Sequence, residues 1–123
     1  MILVDTNAWI DHLRRGDGRL GQYLLEDLVQ TCDVVMGELL LGAGLPKTLV
    51  TDLRALPRLP SPSPSETRAF IERHPRIFGG AGIGWADAQI ILAAAKAGAH
   101  LYTSDLPVRR VSRALGVALA GPS

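Results

Sequence analysis

The chain begins with a short apolar run, Ile2–Val4, that ends abruptly at Asp5. A continuous aliphatic run of this kind is typical of a strand that is buried on both faces of a parallel sheet. Thr6 and Asn7 follow, and both are good caps for the start of a helix. The sequence therefore predicts a buried strand that leads directly into a helix, as in α/β proteins.

Strands and helices are predicted to alternate along the rest of the chain. Further short strands are expected at 33–36, 56–59, 101–103 and 117–120, and helices at 8–15, 20–30, 45–56, 64–73, 86–97 and 108–115. This order indicates a parallel sheet with helices on both faces and right-handed crossovers. With 123 residues, two domains would each be short of core, so one domain, 1–123, is expected. The predicted fold class is a three-layer α/β/α domain with a central parallel sheet of about five strands.

One segment looks like an interdomain linker but is interpreted as a loop. Pro and Ser alternate from 60 to 64, and Ser63 and Glu66 stand at the spacing of a capping box, with Pro64 at the first helical position. A helix is therefore expected to start directly behind this loop.

The composition excludes several classes of protein. Thirteen basic and twelve acidic residues give a net charge of +1, whereas a purely electrostatic nucleic-acid binder is usually strongly basic. Cys32 is the single cysteine, so neither an internal disulfide nor a cysteine zinc site is expected. The start of the chain lacks the basic region of a signal peptide, and no apolar stretch approaches the ~18 residues of a membrane span. A cytoplasmic protein without a membrane partner is the prediction.

Four carboxylates are expected to meet at one edge of the sheet. Asp5 directly follows the first predicted strand, and Glu38 lies two residues after the second. Asp105 follows the strand at 101–103, and Asp87 stands in the first turn of a helix, where the helix dipole favours an anion. Ligands of open α/β sheets bind beyond the carboxyl ends of the strands, so these acids predict a shared site. Each acid alone is equally typical of a turn or a helix cap.

Such a cluster of acids indicates a metal site. Like charges within a few Å repel one another, so a bound cation is the usual reason for acids to converge. Carboxylates without His or Cys suit Mg²⁺ or Mn²⁺, and one or two such ions can activate water for attack on a phosphodiester. The four acids are therefore the candidate catalytic and metal-binding residues. Neighbouring hydroxyl and amide groups are candidates for orienting them: Thr6, Asn7, Thr103 and Ser104.

The segments that carry these acids resemble the four motifs of the PIN domain family. Residues 2–10 are similar to the first motif and 34–42 to the second. Residues 87–98 and 101–105 are similar to the third and fourth, in the expected order and spacing. In size the chain looks most like the VapC toxins of toxin–antitoxin pairs.

This resemblance implies a Mg²⁺- or Mn²⁺-dependent endoribonuclease that cleaves tRNA or another structured RNA by metal-activated water. It also implies a homodimer and a small VapB-type antitoxin that covers the site. The sequence departs from the family pattern after Asp105, where the family often has a second acid and a Phe. Here Leu106, Pro107 and Val108 follow, so metal binding at the fourth position is expected to differ.

RNA contacts are expected from basic side chains near the acids. Five arginines follow segments that carry site acids and are candidates for binding phosphates: Arg14, Arg15, Arg109, Arg110 and Arg113. A solvated helix face is the alternative interpretation of these arginines. Trp9 and Trp85 also lie near site acids and are interpreted as core or dimer contacts, with stacking on a base as the alternative.

Two other functions stay open from the sequence. The segment Asp5-Thr6-Asn7 also resembles the nucleophile loop of haloacid-dehalogenase-like phosphatases, with Asp5 as the nucleophile. That family needs a second Asp at the position of Asn7 and a suitably placed Lys downstream. The other alternative is a non-catalytic PIN-like module that binds RNA or a protein. Converging acids would give such a module only repulsion, which favours the nuclease.

Overall fold

The computed structural model describes residues 1–42 and 44–121. Its strands are β1 (Ile2–Val4), β2 (Val29–Cys32), β3 (Arg58–Leu59), β4 (His100–Tyr102) and β5 (Leu119–Ala120). Its helices are α1 (Thr6–Arg15), α2 (Gly18–Leu25), α3 (Asp33–Leu41), α4 (Lys47–Arg54), α5 (Pro64–Arg73), α6 (Pro75–Phe78), α7 (Trp85–Ala97) and α8 (Leu106–Ala114). None of the helices in these two ranges combines the length and the hydrophobicity that a membrane span needs.

The five strands form one parallel sheet in the order β3-β2-β1-β4-β5. The chain first extends the sheet on one side of β1 and then returns to the other side of β1 with β4. β1 and β4 therefore flank the point at which the direction of winding reverses. In open α/β sheets, ligand sites form at this point, beyond the carboxyl ends of the strands.

The core is built around β1, whose three residues are all buried. Leu3 of β1 pairs with Leu101 of β4, and neither side chain is exposed. The Ala-rich helix α7 buries Ile90 and Ile91 and contacts α3, α5, α8 and β4. The parallel five-stranded sheet with its helices confirms the predicted α/β fold class.

The second strand lies earlier in the chain than the sequence predicted. It is β2, at 29–32, and the predicted strand at 33–36 is instead the start of α3. Val34 and Val35 are β-branched and favoured a strand, but α3 packs against α1, α7 and β2, and this packing overrides the weak local preference. As a result, Glu38 lies inside a helix and not directly after a strand.

Local backbone and capping chemistry sets the ends of other helices. The helix predicted at 20–30 ends at Leu25 because Asp27 adopts a left-handed φ of 56°, which a right-handed helix does not accommodate. The predicted capping box is confirmed: Ser63 Oγ accepts from the Glu66 N–H at 3.0 Å, and Glu66 Oε1 accepts from the Ser63 N–H at 3.1 Å. The sequence did not predict the short helix α6.

Candidate active site

Asp5 lies at the centre of the site, at the carboxyl end of β1. It is 3% exposed, and its Oδ1 accepts a hydrogen bond of 2.8 Å from the backbone N–H of Thr6 at the start of α1. Thr103, directly after β4, donates from Oγ1 to Asp5 Oδ2 at 2.7 Å. One buried hydrogen bond therefore joins the ends of the two strands that flank the winding reversal.

Burial raises the pKa of Asp5 to about 6, from its ordinary value of 3.8. Loss of hydration is the main cause, and the hydrogen bonds from Thr103 and Thr6 oppose it. The negative charges of Asp87 and Glu38 raise the pKa of Asp5 further. The structure therefore brings these three predicted site acids into one electrostatic environment.

Glu38 and Asp87 reach the site from α3 and α7, two helices that contact each other. Glu38 Oε1 accepts a hydrogen bond of 2.7 Å from Thr6 Oγ1. Asp87 Oδ2 accepts one of 3.1 Å from the N–H of Gly84, the residue before α7. Thr6 therefore binds Asp5 through its backbone and Glu38 through its side chain.

Asp105 is connected to the site through Thr103. Its backbone N–H donates to Thr103 Oγ1 at 3.2 Å. Its own Oδ1 accepts from the Val108 N–H at 3.1 Å and so caps the start of α8. Capping a helix is the role that the sequence left open as an alternative to metal binding for each acid. Asp105 thus differs from Asp5, which is both buried and charge-coupled to other acids.

The polar residues predicted to orient the acids divide into two groups. Thr6 and Thr103 bind site carboxylates directly. Ser104 is exposed and donates to Asp11 Oδ2 at 3.3 Å, and Asn7 is exposed, so the predicted role of these two residues stays a prediction. Asp11 is an acid near the site that the sequence patterns did not predict. Its location on α1, the helix that Asp5 caps, is the one sequence feature that connects it with the site.

Arg109 is placed differently from its predicted role as an RNA contact. It is 6% exposed, and its Nη1 donates to the carbonyl oxygen of Thr103 at 3.1 Å. The guanidinium therefore binds the loop that carries Thr103 and is buried, whereas a phosphate contact needs an exposed guanidinium. Sequence spacing alone could not distinguish this inward-facing arginine from its exposed neighbours.

The other four predicted arginines are exposed: Arg14, Arg15, Arg110 and Arg113. Arg15 forms an ion pair of 3.2 Å with Asp11 at the surface. Arg14 and Glu38 both line a cavity of about 480 Å³ beside α1 and α3. Arg14 therefore shares a cavity with a site acid.

The donor chemistry of the site suits a hard divalent cation. Its ligands are carboxylate oxygens, which Mg²⁺ and Mn²⁺ prefer. In the described part of the chain, no three His, Cys, Asp or Glu side chains already stand close enough to hold an ion. The carboxylates of Asp5, Glu38 and Asp87 accept hydrogen bonds from hydroxyl and N–H donors of the chain. The residues present fit the ion by donor type.

The raised pKa of Asp5 predicts how stability depends on pH in metal-free protein. The folded state holds the proton of Asp5 more tightly than the unfolded state does. The protonated side chain therefore contributes to the free energy of unfolding in full below about pH 4, and this contribution is lost as the pH rises through about 6. The loss is about 3 kcal/mol at most, at about 1.4 kcal/mol per pKa unit. Denaturant unfolding from pH 4 to 7 in EDTA measures it. Asp5→Asn is expected to lack this slope, and parallel curves for parent and variant would contradict the assignment.

Comparison with known proteins identifies the family. The model of the PIN domain family matches residues 2–114. The chain therefore belongs to the PIN domain family. It is of the VapC type: it is 38% identical over 122 residues to ribonuclease VapC32 of two strains of Mycobacterium tuberculosis, and the match covers 98% of this chain and 97% of the relative.

Two solved structures share the fold. The crystal structure of FitAcB from Neisseria gonorrhoeae has a TM-score of 0.60 and 23% identity, covering 98% of this chain and 97% of that one. The structure of FitAB bound to an IR36 DNA fragment has a TM-score of 0.68 and 24% identity, covering 98% and 94%. At these identities the likeness concerns the fold, and it agrees with the sheet described above.

Proposed function

We propose that this chain is a toxin-type endoribonuclease that depends on Mg²⁺ or Mn²⁺ and cleaves tRNA or another structured RNA. The observation that carries the proposal is the buried Asp5 carboxylate, which shares its environment with Asp87 and Glu38 at the winding reversal of a PIN domain sheet. Relatives named as ribonucleases align with 98% of the chain and support RNA as the substrate.

The residues around Asp5 would hold the ion and position it. When bound, a divalent cation lowers the pKa of a water molecule and neutralises charge on the reacting phosphodiester. Asp5, Glu38 and Asp87 would bind it, with Asp105 as a fourth ligand. Asp5 is nearly excluded from water, so its charge is weakly screened and attracts a cation strongly. Thr6 and Thr103 keep two of these carboxylates in fixed orientations.

Exposed arginines would bind the RNA backbone on either side of the cleaved bond. Arg14 shares a cavity with Glu38, which places a cation beside the proposed metal site. Arg110 and Arg113 are exposed on α8, the helix that Asp105 caps. Phosphate contacts of this kind give affinity without sequence preference, and they weaken as salt is added.

A small VapB-type antitoxin is the proposed inhibitor, and a homodimer is the proposed assembly. Their support is the resemblance to VapC toxins and the full-length match to ribonuclease VapC32. Sedimentation of the purified chain alone tests the homodimer, and sedimentation after expression with any small reading frame found next to its gene tests the antitoxin.

The proposed activity predicts metal-dependent cleavage of tRNA. The purified chain is incubated with total tRNA in Mg²⁺, in Mn²⁺ and in EDTA. We expect cleavage with either metal and none in EDTA, because the acids alone cannot neutralise a phosphodiester. The products are expected to lack a 2′,3′-cyclic phosphate, which arises only when the neighbouring 2′-hydroxyl attacks. Equal cleavage in EDTA, or cyclic phosphate ends, would contradict the mechanism.

The same incubation separates the alternative functions. A non-catalytic PIN-like module would bind tRNA and leave it intact in both metals. A haloacid-dehalogenase-like phosphatase would release phosphate from a small monoester and form an aspartyl-phosphate at Asp5. Membership of the PIN domain family supports neither phosphate release from a monoester nor an aspartyl-phosphate at Asp5.

A further inference from the structure

Among the Phe, Trp and Tyr side chains of the described residues, Trp85 is the one that is about half exposed to solvent. It is 47% exposed, whereas Trp9 is 2% exposed. The other five Phe, Trp and Tyr residues lie in the hydrophobic core or pack against it: Trp9, Tyr23, Phe70, Phe78 and Tyr102. In a chain with so few aromatic residues, one of the two tryptophans is therefore placed at the surface.

Trp85 begins α7, the helix that carries Asp87 in its first turn. Asp87 Oδ2 binds the N–H of Gly84, the residue directly before Trp85, and the charge of Asp87 acts on Asp5. Trp85 and Asp87 therefore both lie in the first turn of α7. Side chains two positions apart leave a helix in different directions, so a contact of Trp85 with RNA would lie beside the reacting phosphate and not on it.

The loop before Trp85 has open space at two of its glycines. A Cβ placed on Gly82 or on Gly84 would meet no heavy atom within 4 Å. Leu106, which follows Asp105 at the start of α8, is a second exposed apolar residue on a helix that begins at the site. Leu106 has no π face, and it supplies a matched control.

We propose that Trp85 is a stacking platform for one unpaired base of the RNA, next to the phosphodiester that is cleaved. This inference rests on the proposed function. Every nucleobase presents a flat π face, and an exposed indole holds such a face without requiring a particular base. The arginines then bind phosphates, while Trp85 requires that one base beside the site be unpaired.

The test compares the variants Trp85→Ala, Trp85→Phe and Leu106→Ala, each combined with Asp5→Asn so that RNA stays intact in Mg²⁺. The probe is a labelled single-stranded oligoribonucleotide of about ten nucleotides, and its Kd is measured by anisotropy. We expect Trp85→Ala to weaken binding by about 5- to 100-fold, the loss that one aromatic stack gives. Trp85→Phe retains a ring and is expected to bind within about threefold of the parent, and Leu106→Ala within about twofold.

Tryptophan fluorescence gives a readout that does not depend on cleavage. RNA is expected to quench the emission of the Asp5→Asn chain, and this change disappears in Trp85→Phe because Trp9 is buried. Unchanged binding by Trp85→Ala, or equal losses for Ala and Phe, would overturn the inference. If Trp85→Ala changes the sedimentation of the protein and does not change its affinity for RNA, the inference is also overturned, since Trp85 would then be a contact between protein copies. If Asp5→Asn does not bind the oligonucleotide and the unmodified chain does not cleave tRNA, the proposed function itself fails. If the unmodified chain cleaves tRNA and Trp85→Ala alone leaves its rate unchanged, only this inference is removed.

Discussion

Asp5→Asn is expected to reduce the rate of tRNA cleavage by about 1,000-fold or more while the chain stays folded. A bound cation contributes several kcal/mol to stabilising a phosphodiester transition state, and about 1.4 kcal/mol corresponds to a tenfold change in rate. Asparagine keeps the shape of the side chain and removes the negative charge. At pH 7 this removal relieves the cost of burying a charge, which offsets the loss of one of the two oxygens that accept hydrogen bonds. Initial rates in Mg²⁺ and a thermal unfolding curve measure the two effects.

The matched control is Asp52→Asn, an identical change at an exposed position of α4. It is expected to leave the rate within about twofold of the parent, because an exposed charge is screened by salt. Asp5→Asn cleaving tRNA as fast as Asp52→Asn would show that Asp5 takes no part in the reaction.

Thr103→Val is expected to weaken Mn²⁺ binding and to slow cleavage by about 10- to 100-fold, the usual cost of losing a group that orients a metal ligand. Valine retains the branched shape but lacks the hydroxyl that donates to Asp5 Oδ2 and accepts from the Asp105 N–H. The Asp5 carboxylate would then lose its hydrogen bond from the loop that follows β4. Calorimetric titration with Mn²⁺ measures the affinity independently of activity.

Two further variants control for the loss of the hydroxyl. Thr103→Ser keeps Oγ and is expected to retain most of the Mn²⁺ affinity. Thr51→Val removes a hydroxyl that donates to the carbonyl oxygen of Lys47 on an exposed helix, and it is expected to change neither affinity nor rate. If Thr103→Ser and Thr103→Val lose the same affinity, the hydroxyl is not the cause.

Sequence patterns predicted the features that depend on neighbouring residues. The aliphatic run before Asp5 identified β1, because a fully buried strand needs no polar alternation. Ser63 and Glu66 identified the start of α5, since a capping box forms within a few residues of chain. The Ala-rich segment identified α7 and placed Asp87 in its first turn. These elements carry two of the three acids that share the site.

The features that the sequence did not predict depend on contacts between distant segments. Glu38 reaches the site from within a helix, because α3 packs on α1 and α7 although its valines favour a strand. Arg109 turns inward to a carbonyl group on the preceding loop. Trp85 stays exposed, although its size and apolar character are typical of core residues. In each case tertiary packing decides the outcome, and local spacing does not contain that information.

The hydrogen bond between Thr103 and Asp5 spans 98 residues of chain. Because a ribosome makes the N-terminus first, Asp5 is synthesised early, whereas its partner Thr103, directly after β4, is synthesised much later. Parallel pairing between such distant segments is also slow to form. A nascent chain that stops short of β4 therefore lacks the group that fixes its central carboxylate. For an enzyme proposed to cut RNA, the order of synthesis itself would delay activity until the segment that follows β4 has been made.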